Sequence, residues 1–436
     1  MKHIKVGILG LGTVGAGTAK VLQDNQLEIQ RRLGCVIEVT MASVRSLDLN
    51  RDCDCSSIKL TKDPFEIVTH PDIDIIAEVI GGETLAKELV LAALENGKHI
   101  VTANKALIAL HGNELFAKAR EKNRALCFEA AVAGGISIIK ALREGLVGNR
   151  IELIAGIING TGNFILTEMR DKGRDFDDVL REAQSLGYAE ADPTFDIEGI
   201  DAAHKLTILA SLAYGIPLSF DKVVVEGISN LGLTDVKYAG EMGYYIKHLG
   251  IAKPSGDGLE LRVHPTLIPK KRLIANVNGV MNAVLVRGDA VGNTLHYGAG
   301  AGALPTASAM VADIADVVRS ITASEDQRVP YFGFQDEAVK EQRIKAADEF
   351  ESAYYLRYEV QDVAGVMSKL SSKFAERDIS IEAITQKEPE LGSKTVSVIF
   401  ITQTTIEKNV DDAIEAIQAL EEVIQPAVKL RVEHLQ

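Results

Sequence analysis

The sequence contains no tryptophan, and aromatic residues make up only 5% of its 436 positions. Its 46% apolar content is therefore mainly aliphatic, as in a folded globular chain with strand and amphipathic-helix interiors. It has only four cysteines: Cys35, Cys53, Cys55 and Cys127. That is too few for a disulfide framework in so long a chain. Cys53-x-Cys55 has no second pair or nearby histidines to complete a zinc site, so reduced thiols without a function are expected. No apolar run is long enough to span a membrane. The opening MKHIKVGILGLG is too short and too interrupted by glycine to be a signal peptide. Cations are also in deficit, with 47 Lys and Arg against 61 Asp and Glu, a net charge of −14. Such a chain repels polyphosphates and anionic bilayers, which excludes nucleic acid and membrane as partners. A local loop can still bind a phosphate-bearing cofactor. A soluble, cytoplasmic protein of two or three domains is the expectation.

The first third alternates strands and helices. Residues 4–9 (IKVGIL) form a short apolar run, followed by a glycine-rich turn and a helix to about Gln30. Further strands are expected at Ile37–Val44, Ile73–Ile80, 99–102 (HIVT) and 126–129 (LCFE). Helices are expected from Glu83 to Asn96, with Gly97 at the C′ position, and over Gly112–Asn123. This order implies a parallel sheet covered on both faces. From 137 to 300 the strands are more widely spaced, at Ile151–Ile158, Val223–Val225 and Ala275–Val280, which suits an α+β domain with an open sheet. Thr306–Ile321 reads as one long helix that returns to the first domain. Residues 324–350 are charged, lack apolar periodicity and suit a linker. Beyond them come strand Tyr354–Val360, helix Val363–Arg377, strands Ile379–Gln386 and Lys394–Thr404, helix Lys408–Leu420 and strand Ala427–Val432. That order, βαββαβ, is ferredoxin-like. The expected division is 1–136 plus about 301–323, then 137–300, the linker 324–350, and 351–436.

Gly10-Leu11-Gly12-Thr13-Val14-Gly15 matches G-x-G-x-x-G between a strand and a helix, the context of a Rossmann-type dinucleotide site. Gly10 permits the tight turn, Gly12 the approach of a pyrophosphate and Gly15 close packing of helix on strand. The second strand ends Ala42-Ser43-Val44-Arg45. An NAD-type site places an acid at this tip. Arg45, assisted by Lys59 or Arg51, can instead pair with a 2′-phosphate. NADP(H) is therefore the expected cofactor, with NAD(H) as the alternative.

Gly187-Tyr-Ala-Glu190-Ala-Asp192-Pro-Thr-Phe-Asp196 is a loop crowded with carboxylates. It leads into a helix where Asp201 and Lys205 share a face at i, i+4. An exposed pair at that spacing would contribute little. This one continues into Leu206, Leu209 and Leu212, next to a buried stripe.

Together, GLGTVG (10–15), TANK (102–105), NGTGNFIL (159–166), GYAEADPTFD (187–196), GIDAAHKL (199–206) and AGALPTASAMVADI (301–314) resemble the homoserine dehydrogenases, in the long form that ends in an ACT domain. The resemblance covers almost the whole chain. It implies interconversion of L-homoserine and L-aspartate 4-semialdehyde by hydride transfer with NAD(P), a step toward threonine, methionine and isoleucine. It also implies roles for individual residues. Lys205 is similar to the proton donor or acceptor for the substrate oxygen, and Lys105 to its partner beside the nicotinamide. Glu190 and Asp201 resemble the residues that hold the substrate ammonium, with Asp196, Gly160 and Thr161 as further substrate contacts. Gly187 and Gly302 resemble backbone contacts to the cofactor or substrate pocket. Main-chain carbonyls of Glu129, Val132, Gly134 and Ile136 match a sodium site, although an ordinary glycine-rich hinge would read the same. Hard carbonyl oxygens suit such an ion.

Two departures stand out. Gly162 replaces a threonine common in the family. Ala364 precedes Gly365 where the ACT pattern has proline. Residues 353–366 (AYYLRYEVQDVAGV) still resemble the start of an ACT domain, which implies either an effector site for L-threonine or a purely assembling module. A homodimer or homotetramer is expected, with the catalytic sheet as a plausible interface. Two other readings are an aspartate-semialdehyde dehydrogenase and a non-catalytic nucleotide or amino-acid sensor. The first needs a nucleophilic cysteine, and no cysteine lies in such a motif. The second gives no reason for Lys105, Asp201 and Lys205 to occur together. With the dinucleotide motif starting at residue 10, no kinase domain is expected upstream.

Overall fold

The computed structural model describes residues 2–322, 329–387 and 394–435. Strands β1 (Lys2–Leu9), β2 (Cys35–Ser43), β3 (Lys59–Thr61), β4 (Ile75–Glu78), β5 (His99–Thr102) and β6 (Leu126–Cys127) form a parallel sheet in the order β3-β2-β1-β4-β5-β6. Their apolar runs, such as Ile75-Ile76-Ala77, are buried on both faces. The chain order reverses between β1 and β4, where ligands bind in such sheets. The expected helix to Gln30 is two helices, Thr13–Asp24 and Gln26–Leu33, broken at Asn25. Asparagine is a weak helix former that favours such boundaries. The helix expected from Gly112 starts at Lys105, because Asn104 caps it by accepting the Leu107 amide at 3.1 Å. The short β3 and the helix Pro64–Val68 were not anticipated. Helix Ala303–Thr322 returns to this domain against Thr13–Asp24. Gly17 makes the contact possible, since a Cβ there would lie 2.9 Å from the Ala303 carbonyl oxygen.

The central sheet comprises β7 (Ile151–Ile157), β8 (Val224–Val225), β9 (Tyr244–Ser255), β10 (Gly258–Pro269), β11 (Met281–Gly288) and β12 (Gly292–Ala299). The order β12-β11-β7-β9-β10 is antiparallel throughout, and β8 adds to β10 in parallel. The strand expected at Ala275–Val280 is absent. A 3₁₀ turn, Leu273–Asn276, stands there, and β11 begins one residue beyond the expected end. The twelve-residue strands β9 and β10 were not anticipated either. They include Pro254, Pro265, Pro269 and the buried Lys247 and Arg262, which obscure the usual alternation. Helices Gly160–Lys172, Phe176–Ser185 and Ile200–Tyr214 belong to this part of the molecule.

The C-terminal unit is β13 (Glu351–Gln361), helix Val366–Ala375, β14 (Ile381–Gln386), β15 (Thr395–Thr402), β16 (Thr405–Ile406), helix Glu407–Gln418 and β17 (Val428–Val432). Apart from the short β16, this is the expected βαββαβ order. The unit does not stand apart. β17 pairs in parallel with β10, Thr266 with Arg431 and Leu267 with Val432, so one sheet runs β12-β11-β7-β9-β10-β17-β13-β15-β14. Residues 329–350 connect the parts while packed on both. Tyr331 stacks on Phe116 at 5.1 Å, Phe350 is buried, and Ile344 bridges to Leu259. The preceding residues, 323–328, lie outside the described residues.

Candidate active site

The turn after β1 is built as the motif requires. Gly10 has φ +94°, and its amide donates to Ser43 Oγ at 3.1 Å. A Cβ on Gly15 would lie 2.1 Å from the Gly10 carbonyl oxygen, whereas one on Gly12 would meet nothing within 4 Å. Gly12 thus faces open space at the N-terminus of helix Thr13–Asp24, where no side chain caps the first amides. A cleft of about 890 Å³ opens over this turn. Its lining includes Gly10, Gly12, Thr13, Arg45, Arg51 and Ala303. Val14 is not among the lining residues and packs against the domain core. Arg45 is exposed and makes no hydrogen bond or ion pair among the described residues. Arg51 is committed to its own loop through the carbonyls of Leu49 (2.7 Å) and Ser46. Lys59 is paired with Glu66 outside the cleft. Lys62, not anticipated, lines the cleft instead, and so does Asp52. Cys53 and Cys55 are free thiols with sulfurs 3.7 Å apart, and burial together with Cys55 pushes Cys53 up to about 11.

The second cluster forms around Asp201, at the N-terminal turn of helix Ile200–Tyr214. Gly199, at φ +83°, caps that helix, and a Cβ there would press on His248, Val263 and Val225 at 3.0–3.1 Å. Lys105 Nζ stands 3.1 Å from Asp201 Oδ1 and Lys205 Nζ 2.7 Å from Oδ2, so one carboxylate holds both ammonium groups. Lys205 also donates to the Ile158 carbonyl at 2.7 Å. Burial alone would push the Asp201 carboxyl up, but the charges of Lys205 and then Lys105 hold it far below the usual range. Burial lowers Lys205, Asp201 opposes that, and Lys105 adds to the lowering. Asn159 Nδ2 donates to Asp196 Oδ1 at 2.7 Å and to Asp201 Oδ2 at 2.9 Å, while its Oδ1 accepts the Gly162 amide at 2.7 Å. Burial raises Asp196 despite that bond.

The structure thus brings together Lys105, Lys205, Asp201 and Asp196, with Gly160 and Thr161 on the adjoining helix start. Thr161 Oγ1 donates to the Tyr188 carbonyl at 2.6 Å, which ties this helix to the loop after Gly187, itself at φ +74°. Glu190 is not brought in. It is exposed, and only its carbonyl is held, by Gln184 Nε2 at 3.1 Å. Gly302, at φ +122°, precedes Ala303 of the cofactor cleft. Glu129, Val132, Gly134 and Ile136 lie in a buried tight turn with φ +56° at Ala133 and +46° at Gly134. Within it the Ile136 carbonyl already accepts the Ile138 amide at 2.7 Å. Asn159 was not anticipated as a hinge between Asp196 and Asp201. Its place at the head of NGTGNFIL was the available signal. Phe195 lies under Lys105 Nζ at 5.6 Å and was likewise missed, because a lone phenylalanine in a loop has no distinguishing spacing.

Comparison with known proteins identifies the family and its domains. Residues 10–129 match the homoserine dehydrogenase NAD-binding domain, 137–315 the homoserine dehydrogenase family and 354–422 the ACT domain. The chain is 60% identical to the homoserine dehydrogenase of Pseudomonas aeruginosa, over all of both chains. It superposes on the crystal structure of a homoserine dehydrogenase from Thiobacillus denitrificans with TM-score 0.96 and 56% identity, covering 100% of this chain and 99% of the other. A hyperthermophilic archaeal homoserine dehydrogenase in complex with NADPH aligns with TM-score 0.61 and 27% identity, over 74% of this chain and 99% of that one. The chain belongs to the homoserine dehydrogenase family, NAD(P)-dependent oxidoreductases, in the form with a C-terminal ACT domain.

Proposed function

We propose that the chain interconverts L-homoserine and L-aspartate 4-semialdehyde with NADP(H) in preference to NAD(H), using Lys205 as proton acceptor and donor. The convergence of Lys105 and Lys205 on the buried Asp201 carries this reading. The cofactor fits the residues present. The Gly10–Gly15 turn leaves open a cradle that a Cβ on Gly12 would enter, helix amides face it, and Arg45 and Lys62 line the same cleft as cations whose charge suits a 2′-phosphate. A nicotinamide held over the Gly10–Gly15 turn would supply the hydride chemistry, acceptance from the alcohol carbon in oxidation and return in reduction. In the oxidative direction Lys205 removes the hydroxyl proton as the carbonyl forms. Burial and the Lys105 charge lower it relative to a free lysine, which favours its neutral form. Lys105, held 3.1 Å from Asp201 Oδ1, stabilises negative charge on the substrate oxygen. The resemblance assigns the substrate ammonium to Asp201 and to Glu190, whose carboxylate stands exposed in its loop outside the cluster, with Asp196, Gly160 and Thr161 as neighbouring contacts. Gly187 and Gly302 shape the pocket.

Three further roles rest on the family resemblance. A sodium ion is assigned to the carbonyls of Glu129, Val132, Gly134 and Ile136. L-threonine is assigned as the effector of the ACT unit. The working form is a cytoplasmic homodimer or homotetramer. No described helix is long and apolar enough to cross a membrane. The proposed domain division is 1–136 with about 301–323, 137–300, and 351–436 after the 324–350 linker.

Initial rates with L-homoserine, run with NADP and NAD in parallel, test the reading. Faster turnover with NADP is expected, and Arg45→Ala narrows the ratio. Absence of homoserine-dependent turnover in folded protein overturns it. Replacing sodium by choline tests the ion.

A further inference from the structure

We infer that Glu78 is a positioning residue that sets Lys105 against Asp201. It rests on the assignment of Lys205 and Lys105 to the proton transfer. Glu78 ends β4 and is fully buried, yet no cation pairs with it among the described residues. Its partners are neutral donors. Oε1 accepts the Ile80 amide at 3.0 Å and Oε2 the Thr102 hydroxyl at 2.6 Å, with the Gly81 amide and the Asn104 side chain also contributing. Thr102 Oγ1 in turn accepts the Asn104 amide at 3.0 Å, so its own proton must go to Glu78. Asn104 Nδ2 donates to the Gly82 carbonyl at 2.7 Å, and its Oδ1 caps the helix whose first residue is Lys105. One carboxylate therefore fixes two things together: the Ile80–Gly82 turn, part of which lines the cofactor cleft, and the Thr102–Asn104 turn, which aims Lys105.

Burying a carboxylate without a counter-ion costs several kcal/mol. Sheet and cap geometry alone would accept a smaller or apolar side chain here. Both donors to Glu78 are committed, so glutamine cannot serve both: its amide nitrogen would face either the Ile80 N–H or the Thr102 O–H. The consequence is specific to the chemistry. Lys205 is faced by Asp201, Asp196, Lys105 and the neutral His204 ring. Of these, Lys105 is the group that Glu78 positions. If Lys105 moves away, Lys205 holds its proton to higher pH and the oxidative reaction weakens.

The test compares Glu78→Gln, Thr102→Val and Thr102→Ser with the wild type, scoring thermal stability, kcat and the pH profile of kcat for homoserine oxidation. Glu78→Gln and Thr102→Val are expected to lower kcat about 10- to 100-fold. Both should move the profile to the alkaline side, while Thr102→Ser restores both readouts. A merely structural Glu78 would lower stability and active fraction with the profile unmoved, and that result overturns the inference. Should Glu78→Gln fail to fold, the Thr102 pair decides alone. Lys205→Ala separates this from the parent reading. If Lys205→Ala keeps its turnover, the assignment of Lys205 falls. If it loses turnover while the Glu78 and Thr102 profiles stay put, only the role of Glu78 falls.

Discussion

At the scale of single residues, the site depends on charges that burial makes costly and neighbours make tolerable. Asp201 is 3% exposed and would be a liability alone; two ammonium groups and Asn159 make it the anchor of the cluster. Lys205→Ala is therefore expected to bind NADPH as the wild type does, by fluorescence titration, and to lose about 10²–10⁴-fold in kcat, the range of a proton-transfer group. Near-normal kcat would remove Lys205 from the mechanism. The neighbouring His204 presents a different case. Its ring lies 4.3 Å from Phe220 and 5.4 Å from Phe195, its buried Nδ1 has no partner among the described residues, and burial lowers it to about 4. The unfolded chain protonates this histidine near 6.5, so folding keeps it neutral. Stability is full above that pH and is lost as pH falls toward 4, with the whole gap amounting to about 3 kcal/mol. His204→Leu should flatten the fall in Tm between pH 7 and pH 5. An unchanged slope would mean that His204 does not titrate in this range.

At the scale of elements, the dinucleotide turn separates fold from ligand. Gly15 touches Gly10 backbone, so Gly15→Ala should weaken both Tm and cofactor binding. Gly12 touches nothing within 4 Å, so Gly12→Ala should leave Tm within a degree or two while raising the NADPH Kd about tenfold or more. Equal loss of stability in both variants would contradict an open cradle above Gly12. The same contrast explains what could be read in advance. The glycine turn, the cap at Gly97 and the Asp201–Lys205 spacing are local patterns, legible because each depends on residues within one or two turns. Lys105 against Asp201 spans 96 positions and reached the sequence reading only through family resemblance. Glu190 illustrates the converse: a carboxylate in a promising loop that the fold leaves exposed. β9 and β10 stayed hidden because they bury charged residues whose partners lie partly on distant segments, as with Lys247 and the Arg262–Glu433 pair, and partly on the same strand, as with Glu260. Lys247 is bound by Asn163 and the Val277 carbonyl, and Arg262 by Glu260 and Glu433. Alternation fails where charge is buried and paired.

At the scale of the whole molecule, the ACT unit is part of the catalytic body. β17 hydrogen-bonds to β10, and one apolar cluster contains Phe164, Ile165, Met169 and Leu267 together with Tyr355, Ile401, Leu430 and Val432. Polar links run the same way. Arg357 is held by Asp235 at 2.7 Å, Arg262 by Glu433 at 2.5 Å, and the almost fully buried Arg431 by Glu226 at 2.8 Å and by Glu407. Arg431→Met would leave the buried Glu407 with Lys429 as its one cation among the described residues, beside the Tyr354 hydroxyl, and is expected to cost about 3 kcal/mol or more. Removing residues 351–436 is a harsher test. It strips β10 of its neighbour and exposes the apolar cluster beside an open strand edge, a combination that favours aggregation. The truncated chain is therefore expected to be insoluble or to melt far below the full chain, by scanning calorimetry and light scattering, instead of behaving as an active enzyme released from control. Full-length and truncated chains with equal Tm and equal kcat would show that the continuous sheet is incidental. The expected loss would place any effector of the ACT unit on the same hydrogen-bonded sheet against which the helix carrying Asp201 and Lys205 packs.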